Sequence, residues 1–232
     1  MIRSQCCKPP SRRPQGSMAS AGAPFPAPGP ALQAAFVTWP AGREIYRVHD
    51  AAYRSTQFNP GGKGNARFSP IATPKGGAIP TLYGGNTFEC ATMETVFHDI
   101  AFASGFKAFD KDKLNGKCVS VITSSRNLQL VNLSNVALRK LGIARVHLIE
   151  SDAANYPLTR PWAAALHEQL PQAHGLVWVS RQHDEARALV LFGDKVKEAD
   201  LIQAVPPMAI VANPMCYGKL LSLAQQIGVN II

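Results

Sequence analysis

The strongest constraint on the fold is a set of short apolar runs that do not alternate regularly with helices. Segments 44–48 (EIYRV), 81–83 (TLY), 117–123 (KCVSVIT), 128–133 (LQLVNL), 175–180 (GLVWVS) and 188–192 (ALVLF) read as strands. They are too short for stable helices, and several are flanked by turn-forming residues. Helix signals are fewer. Asn86 with Glu89 three residues on has the capping-box arrangement and predicts a helix to about Phe102, ahead of Ser104-Gly105. Ser134 opens a short helix to Leu141, with Gly142 as its stop, and Thr159 opens another through Leu170 with Pro161 in its first turn. Asn213-Pro214 opens an amphipathic helix to about Ile227. Strands outnumber helices, so the pattern predicts an α+β domain, not a doubly wound sheet. Residues 53–80, rich in Gly, Pro, Asn and Ser, read as a long loop of the kind often found at a site.

Charge divides the chain. The 232 residues carry a formal net charge of +9, with an isoelectric point near 9.5, which by itself suggests an anionic partner such as nucleic acid. Residues 1–43 hold five cations (Arg3, Lys8, Arg12, Arg13 and Arg43), no acid, and eight of the 18 prolines. Residues 44–232 keep 19 Lys and Arg against 15 Asp and Glu, a balance of +4. Proline and small polar residues disfavour regular structure, so 1–40 is expected to be a disordered tail and 41–232 the folded domain. The tail lacks the apolar core of a secretory signal, and no run approaches the length of a membrane span. Cys6, Cys7, Cys90, Cys118 and Cys216 are odd in number and widely spaced, which suits reduced thiols in the cytoplasm.

Several motifs are absent. Gly61-Gly62-Lys63-Gly64 lacks the spacing of a phosphate-binding loop and opens no helix, and it fails as a dinucleotide fingerprint because Arg67 stands where the last glycine belongs. No HExxH, GxSxG or paired CxxC occurs, and the histidines show no ligand spacing, so no metal site is expected.

One constellation remains. On the helix expected from Asn86, Glu94 shares a face with Thr87, Ala91, His98 and Ala101, and a carboxylate among small and apolar residues is costly unless paired. Helical spacing allows an i,i+4 pair with His98. Arg47 ends the first strand, Arg67 lies in the Gly-rich loop, Tyr83 precedes the Glu94 helix, and Ser180 closes an apolar strand. Two guanidiniums with glycine-loop N–H groups suit a diphosphate. A tyrosine can stack on a planar ring, and a carboxylate can stabilise an oxocarbenium-like centre.

In this order those residues resemble the RES-domain family, named for its Arg, Glu and Ser. The matching segments are IYRVH (45–49), GNARFSP (64–70), TLYGGNTFECATMETVFH (81–98), YPLTRPWAAALHEQLPQAHGLVWVSRQ (156–182) and ALVLFGD (188–194). The chain departs from the family at Ala66-Arg67-Phe68-Ser69, where Gly-Arg-Trp-Asn is usual, and carries extra residues between Arg67 and Tyr83. The resemblance implies a fold similar to ADP-ribosyltransferase toxins. It also implies the toxin half of a bacterial toxin–antitoxin pair, cleaving the nicotinamide–ribose bond of NAD with water or inorganic phosphate. NAD is then substrate, not cofactor. By position, Arg47 and Arg67 would hold the NAD phosphates, Tyr83 would pack on the nicotinamide end, Glu94 would orient the ribose and stabilise the developing cation, and Ser180 would complete the pocket. The implied partner is an Xre-type helix-turn-helix antitoxin, with self-association also compatible.

Two other readings stay open. An ADP-ribosyltransferase would break the same bond and pass the ribose to a macromolecule. A basic nucleic-acid-binding or RNA-cleaving protein would use the charge directly, but Lys and Arg are scattered over the folded part and not interleaved with aromatic residues, so no direct nucleic-acid contact is expected.

Overall fold

Alternate residues of a strand point to opposite sides of its sheet, and in this chain that alternation separates three apolar clusters. The structure, a computed structural model, describes residues 25–62 and 64–232. The elements of the first half are β1 (Phe36–Trp39), β2 (Ile45–Asp50), β3 (Ile71–Ala72), β4 (Ala78–Ile79), β5 (Thr81–Gly85), α1 (Phe88–Thr95), β6 (Lys107–Phe109) and β7 (Lys117–Ser124). The second half adds β8 (Leu128–Asn132), α2 (Asn135–Leu141), α3 (Arg145–Leu148), α4 (Tyr156–Gln169), β9 (Gly175–Val179), β10 (Arg187–Phe192), β11 (Leu201–Ala209), α5 (Pro214–Gln226) and β12 (Val229–Ile231).

Eight strands form one curled sheet in the order β1-β8-β9-β10-β5-β2-β7-β11. Its pairs are antiparallel except β8 with β9. Trp39, Ile45, Leu82, Ile122, Leu130, Val177, Leu189 and Leu201, one from each strand, pack together on the inner face. The intervening residues face outward. Those of β8, β9 and β10 meet α2 and α4, and those of β2 and β7 meet α1 and α5. The outer face therefore carries two helical layers, and β5 runs where they adjoin. Two glycines let β5 lie close to its neighbours. A Cβ on Gly84 would come 2.5 Å from Ile45 Cγ2, and one on Gly85 2.8 Å from Cys90 Sγ.

The α+β organisation and all six strands are as the sequence pattern indicates. The domain boundary moves. Residues 25–40, assigned to the tail, belong to the fold: β1 pairs with β8, Trp39 is fully buried, and Pro26 and Gly29 accept hydrogen bonds from Trp162 and Gln169 of α4. Proline limits the pairing of this stretch but not its packing. The rest of the expected tail, with Cys6 and Cys7, lies outside the described residues. Two helices also differ. α1 ends at Thr95, not Phe102, because the N–H groups of Val96 and Phe97 both turn back to Thr92 O, which drives Phe97 into the core against Phe109. α4 begins at Tyr156, and Thr159 is a buried residue within it, not its cap. At α1 the cap is Thr87, whose Oγ1 accepts from Cys90 N, while Asn86 Oδ1 accepts from Arg187 N of β10. Among the described residues no helix is long and apolar enough to cross a membrane.

Candidate active site

Glu94 sits in the last turn of α1, beyond the run Phe88–Met93 that buries the helix against the sheet. Its carboxylate is half-buried where the two helical layers meet. Ser180 follows β9 and is fully buried. Its Oγ accepts from the N–H groups of Gln182 (3.0 Å) and His183 (3.1 Å), the self-bonding that favours serine in turns. Both lone-pair directions being used, the hydroxyl proton points away from the turn and is donated to Glu94 Oε1 at 2.6 Å. One carboxylate oxygen is thus held by the sheet end, and the other is left to the cavity.

Tyr83 points outward from β5, toward the same cavity. Its hydroxyl accepts from Phe68 N (3.0 Å), and its ring meets Trp178 edge-on at 6.4 Å. Burial pushes its phenol up to about 12, so it remains neutral. Arg67 is buried in the loop ahead of β3. Its Nη1 donates to Ser151 O (2.9 Å), Ser151 Oγ (2.8 Å) and, more weakly, Leu148 O (3.4 Å). Its guanidinium carbon lies 5.0 Å from the Tyr156 ring centre. Burial lowers its pKa, without removing a charge that guanidinium keeps at neutral pH. Among the described residues all its hydrogen bonds leave from Nη1, so Nε and Nη2 have no protein acceptor. Thr159 of α4 donates to Arg67 O and Arg160 Nε to Ala66 O, clamping the loop onto the helix.

Arg67, Tyr83 and Glu94 line one cavity of about 310 Å³, within the range of small-molecule sites, and Ser180 stands behind Glu94. A carboxylate, a guanidinium and aromatic walls here suit a ligand with hydroxyls, a phosphate and a flat ring. Arg47 is not brought to this place. On β2, Tyr46 and Val48 face α1, so Arg47 faces the inner side, where it lines a different cavity with His49. The two arginines expected to grip one ligand thus line different cavities in this structure. The period-2 pattern of IYRVH already carried that signal. His98 does not pair with Glu94 either. The helix has ended, and its ring reaches Asp99 Oδ1 (2.8 Å) and the Tyr156 hydroxyl (3.1 Å).

Sequence reasoning missed the walls. Tyr156, Trp178 and Asn65 line the cavity along with His98, which the helical spacing had placed beside Glu94. Tyr156, Trp178 and Asn65 each lie in or beside a segment that reads as core or loop, and no local pattern marks them. Among the described residues no group of three or more His, Cys, Asp or Glu side chains could hold a metal ion.

A model of the RES domain family matches residues 44–212. A search of curated proteins found no match. Among solved structures, the chain resembles one in the crystal structure of the M. tuberculosis MbcT-MbcA toxin-antitoxin complex. The TM-score is 0.56 at 14% identity, covering 81% of this chain and 92% of that one. At that identity the likeness is one of fold.

Proposed function

Because this chain belongs to the RES domain family, we propose that it is an NAD-degrading toxin of a bacterial toxin–antitoxin pair, cleaving the bond between nicotinamide and ribose. The observation that carries this reading is the Ser180–Glu94 hydrogen bond at the wall of a cavity that also holds Arg67 and Tyr83. With Oε1 fixed by Ser180, Oε2 is the acceptor for a ribose hydroxyl, and the carboxylate charge lies where positive charge grows on the anomeric carbon as nicotinamide departs. Tyr83 and Trp178 supply flat walls for the ring. The free Nε–Nη2 edge of Arg67 suits a phosphate oxygen pair. Water as acceptor gives ADP-ribose, nicotinamide and a proton; inorganic phosphate gives ADP-ribose 1″-phosphate, nicotinamide and a proton. The partner in this reading is an Xre-type antitoxin, supported by the fold shared with a chain of a toxin-antitoxin complex.

The test is purified protein incubated with NAD, with and without phosphate, and with products identified by mass spectrometry. Nicotinamide release by the wild type and its loss by at least a hundredfold in a folded Glu94→Gln variant are expected. Turnover retained in that variant would remove Glu94 from the chemistry, and ADP-ribose attached to a macromolecule would make the protein a transferase.

A further inference from the structure

Cleavage by water leaves a proton to dispose of, and Glu94 is poorly placed to take it. Its Oε1 is bonded to the Ser180 hydroxyl (2.6 Å), and in the proposed reaction its Oε2 goes to the ribose. A guanidinium accepts nothing, which excludes Arg67. The Tyr83 hydroxyl leads to the Phe68 N–H (3.0 Å), not to a base.

The same cavity is lined by Tyr156 and His98, and by Asp99 at its rim, where the Asp99 side chain is 96% exposed. These three form a chain from the cavity to solvent. Tyr156, the first residue of α4, is buried with the Arg67 guanidinium against its ring. Its hydroxyl lies 3.1 Å from His98 Nε2 and has no other hydrogen-bond partner among the described residues. His98 Nδ1 lies 2.8 Å from Asp99 Oδ1. A carboxylate only accepts, so Nδ1 carries the proton, and Nε2 of the neutral ring accepts from the Tyr156 O–H. The phenol oxygen keeps its lone pairs for a water in the cavity. Each group can thus take a proton from the one before it and pass its own on. The chain is also held in place. Gln182 Nε2 donates to His98 O (3.1 Å) and Gln182 N to Ser180 Oγ (3.0 Å), so the turn after β9 fixes both Glu94 and His98.

We propose that Tyr156 and His98 are the proton exit of this cavity. As water attacks the anomeric carbon, the carbon–oxygen bond forms, the carbon–nitrogen bond breaks, and its electron pair leaves on nicotinamide. The water proton goes to the Tyr156 oxygen, the Tyr156 proton to His98 Nε2, and the Nδ1 proton of the resulting imidazolium to solvent past Asp99. Tyr156 touches the water, and His98 acts through it. The relay has a role only if the Glu94 cavity cleaves NAD with water, as in the proposed function. An anion such as azide attacks with no proton to lose, and so does not need it.

The test is NAD cleavage by the full chain without phosphate, with and without azide, for the wild type, His98→Gln, Tyr156→Phe and the double variant. Gln keeps an acceptor for the Tyr156 hydroxyl but takes no proton, and Phe keeps the ring beside Arg67. Each variant should melt like the wild type and lose at least tenfold in kcat for hydrolysis, with KM within twofold. The double variant should be no slower than the slower single one, since both residues serve one path. Azide should bring the variants to within threefold of the wild type assayed with azide, giving ADP-ribosyl azide, a rescue that a distorted cavity would not show. Hydrolysis at the wild-type rate in either variant, additive losses in the double variant, or no rescue by azide would overturn the relay and leave NAD cleavage standing. So would a wild type that turns over only with phosphate. A wild type that releases no nicotinamide at all would remove both.

Discussion

Ser180 shows how much one hydroxyl can organise. It closes the turn after β9 with its lone pairs and orients Glu94 with its proton. A hydrogen bond to a charged group is worth about 1.5–3 kcal/mol. If the bond serves the transition state more than the ground state, Ser180→Ala should lower kcat for the proposed NAD cleavage about 10- to 100-fold. KM should change little, since no substrate contact is lost. Steady-state kinetics check this, and a rise in KM at constant kcat would instead place Ser180 in ground-state binding. Glu94, Tyr83, Arg67 and Ser180 could be singled out from residue type and order, and the fold brings them to one place. Tyr156 and Trp178 were not, because an aromatic residue in an apolar run looks the same whether it fills a core or walls a cavity.

At the scale of elements, the Gly84-Gly85 end of β5 is the tightest constraint. Any side chain at Gly84 must enter the space held by Ile45 Cγ2 and by Tyr46 O, which a Cβ would meet at 2.9 Å. Overpacking of this kind costs about 1–3 kcal/mol. Gly84→Ala should therefore lower the unfolding free energy by about that amount, measured by denaturant titration, with a matching fall in activity as β2 and β5 separate near the cavity. The helix readings show what local signals capture. Asn213 caps α5 through Cys216 N, and Gly142, with φ of 72°, ends α2 in the left-handed conformation, as their residue types indicate. The end of α1 was misread because nothing local competes with the helix there. Burial of Phe97 decides it. β11 went unread for the opposite reason: Pro206-Pro207 argues against a strand, yet the residues sit at an edge between register shifts, where proline is tolerated.

For the whole molecule, pH dependence follows from two imidazoles held neutral. Burial lowers the pKa of His49, with Arg47 and Lys117 adding to it against Asp50. Burial also lowers that of His174, with Arg126 and Lys195 adding to it against Asp200. In His49 the tautomer is fixed, since Asp50 O can only accept: Nδ1 donates and Nε2 accepts from Ser120. A histidine whose folded pKa lies below its unfolded value leaves the unfolded chain binding more protons. Stability is then full above the unfolded value, near 6.5, and falls as pH drops below it. Melting temperature should decline from pH 7.5 to pH 5, and the decline should be shallower in His49→Gln than in the wild type. Equal slopes would mean that the two states protonate His49 alike.

The sequence by itself determined the α+β class, the strands of the sheet interior and two of the helix caps, and it singled out the polar residues proposed for the site, because these depend on alternation, capping and residue type within a few positions. Tertiary structure decided which of those residues meet. A strand sends neighbouring side chains to opposite faces, and only the curl of the sheet and the seating of α1 and α4 determine what each face encounters. That is why Arg67, sixteen residues before Tyr83 in the chain, shares its cavity, while Arg47, one residue from Val48, faces a different one.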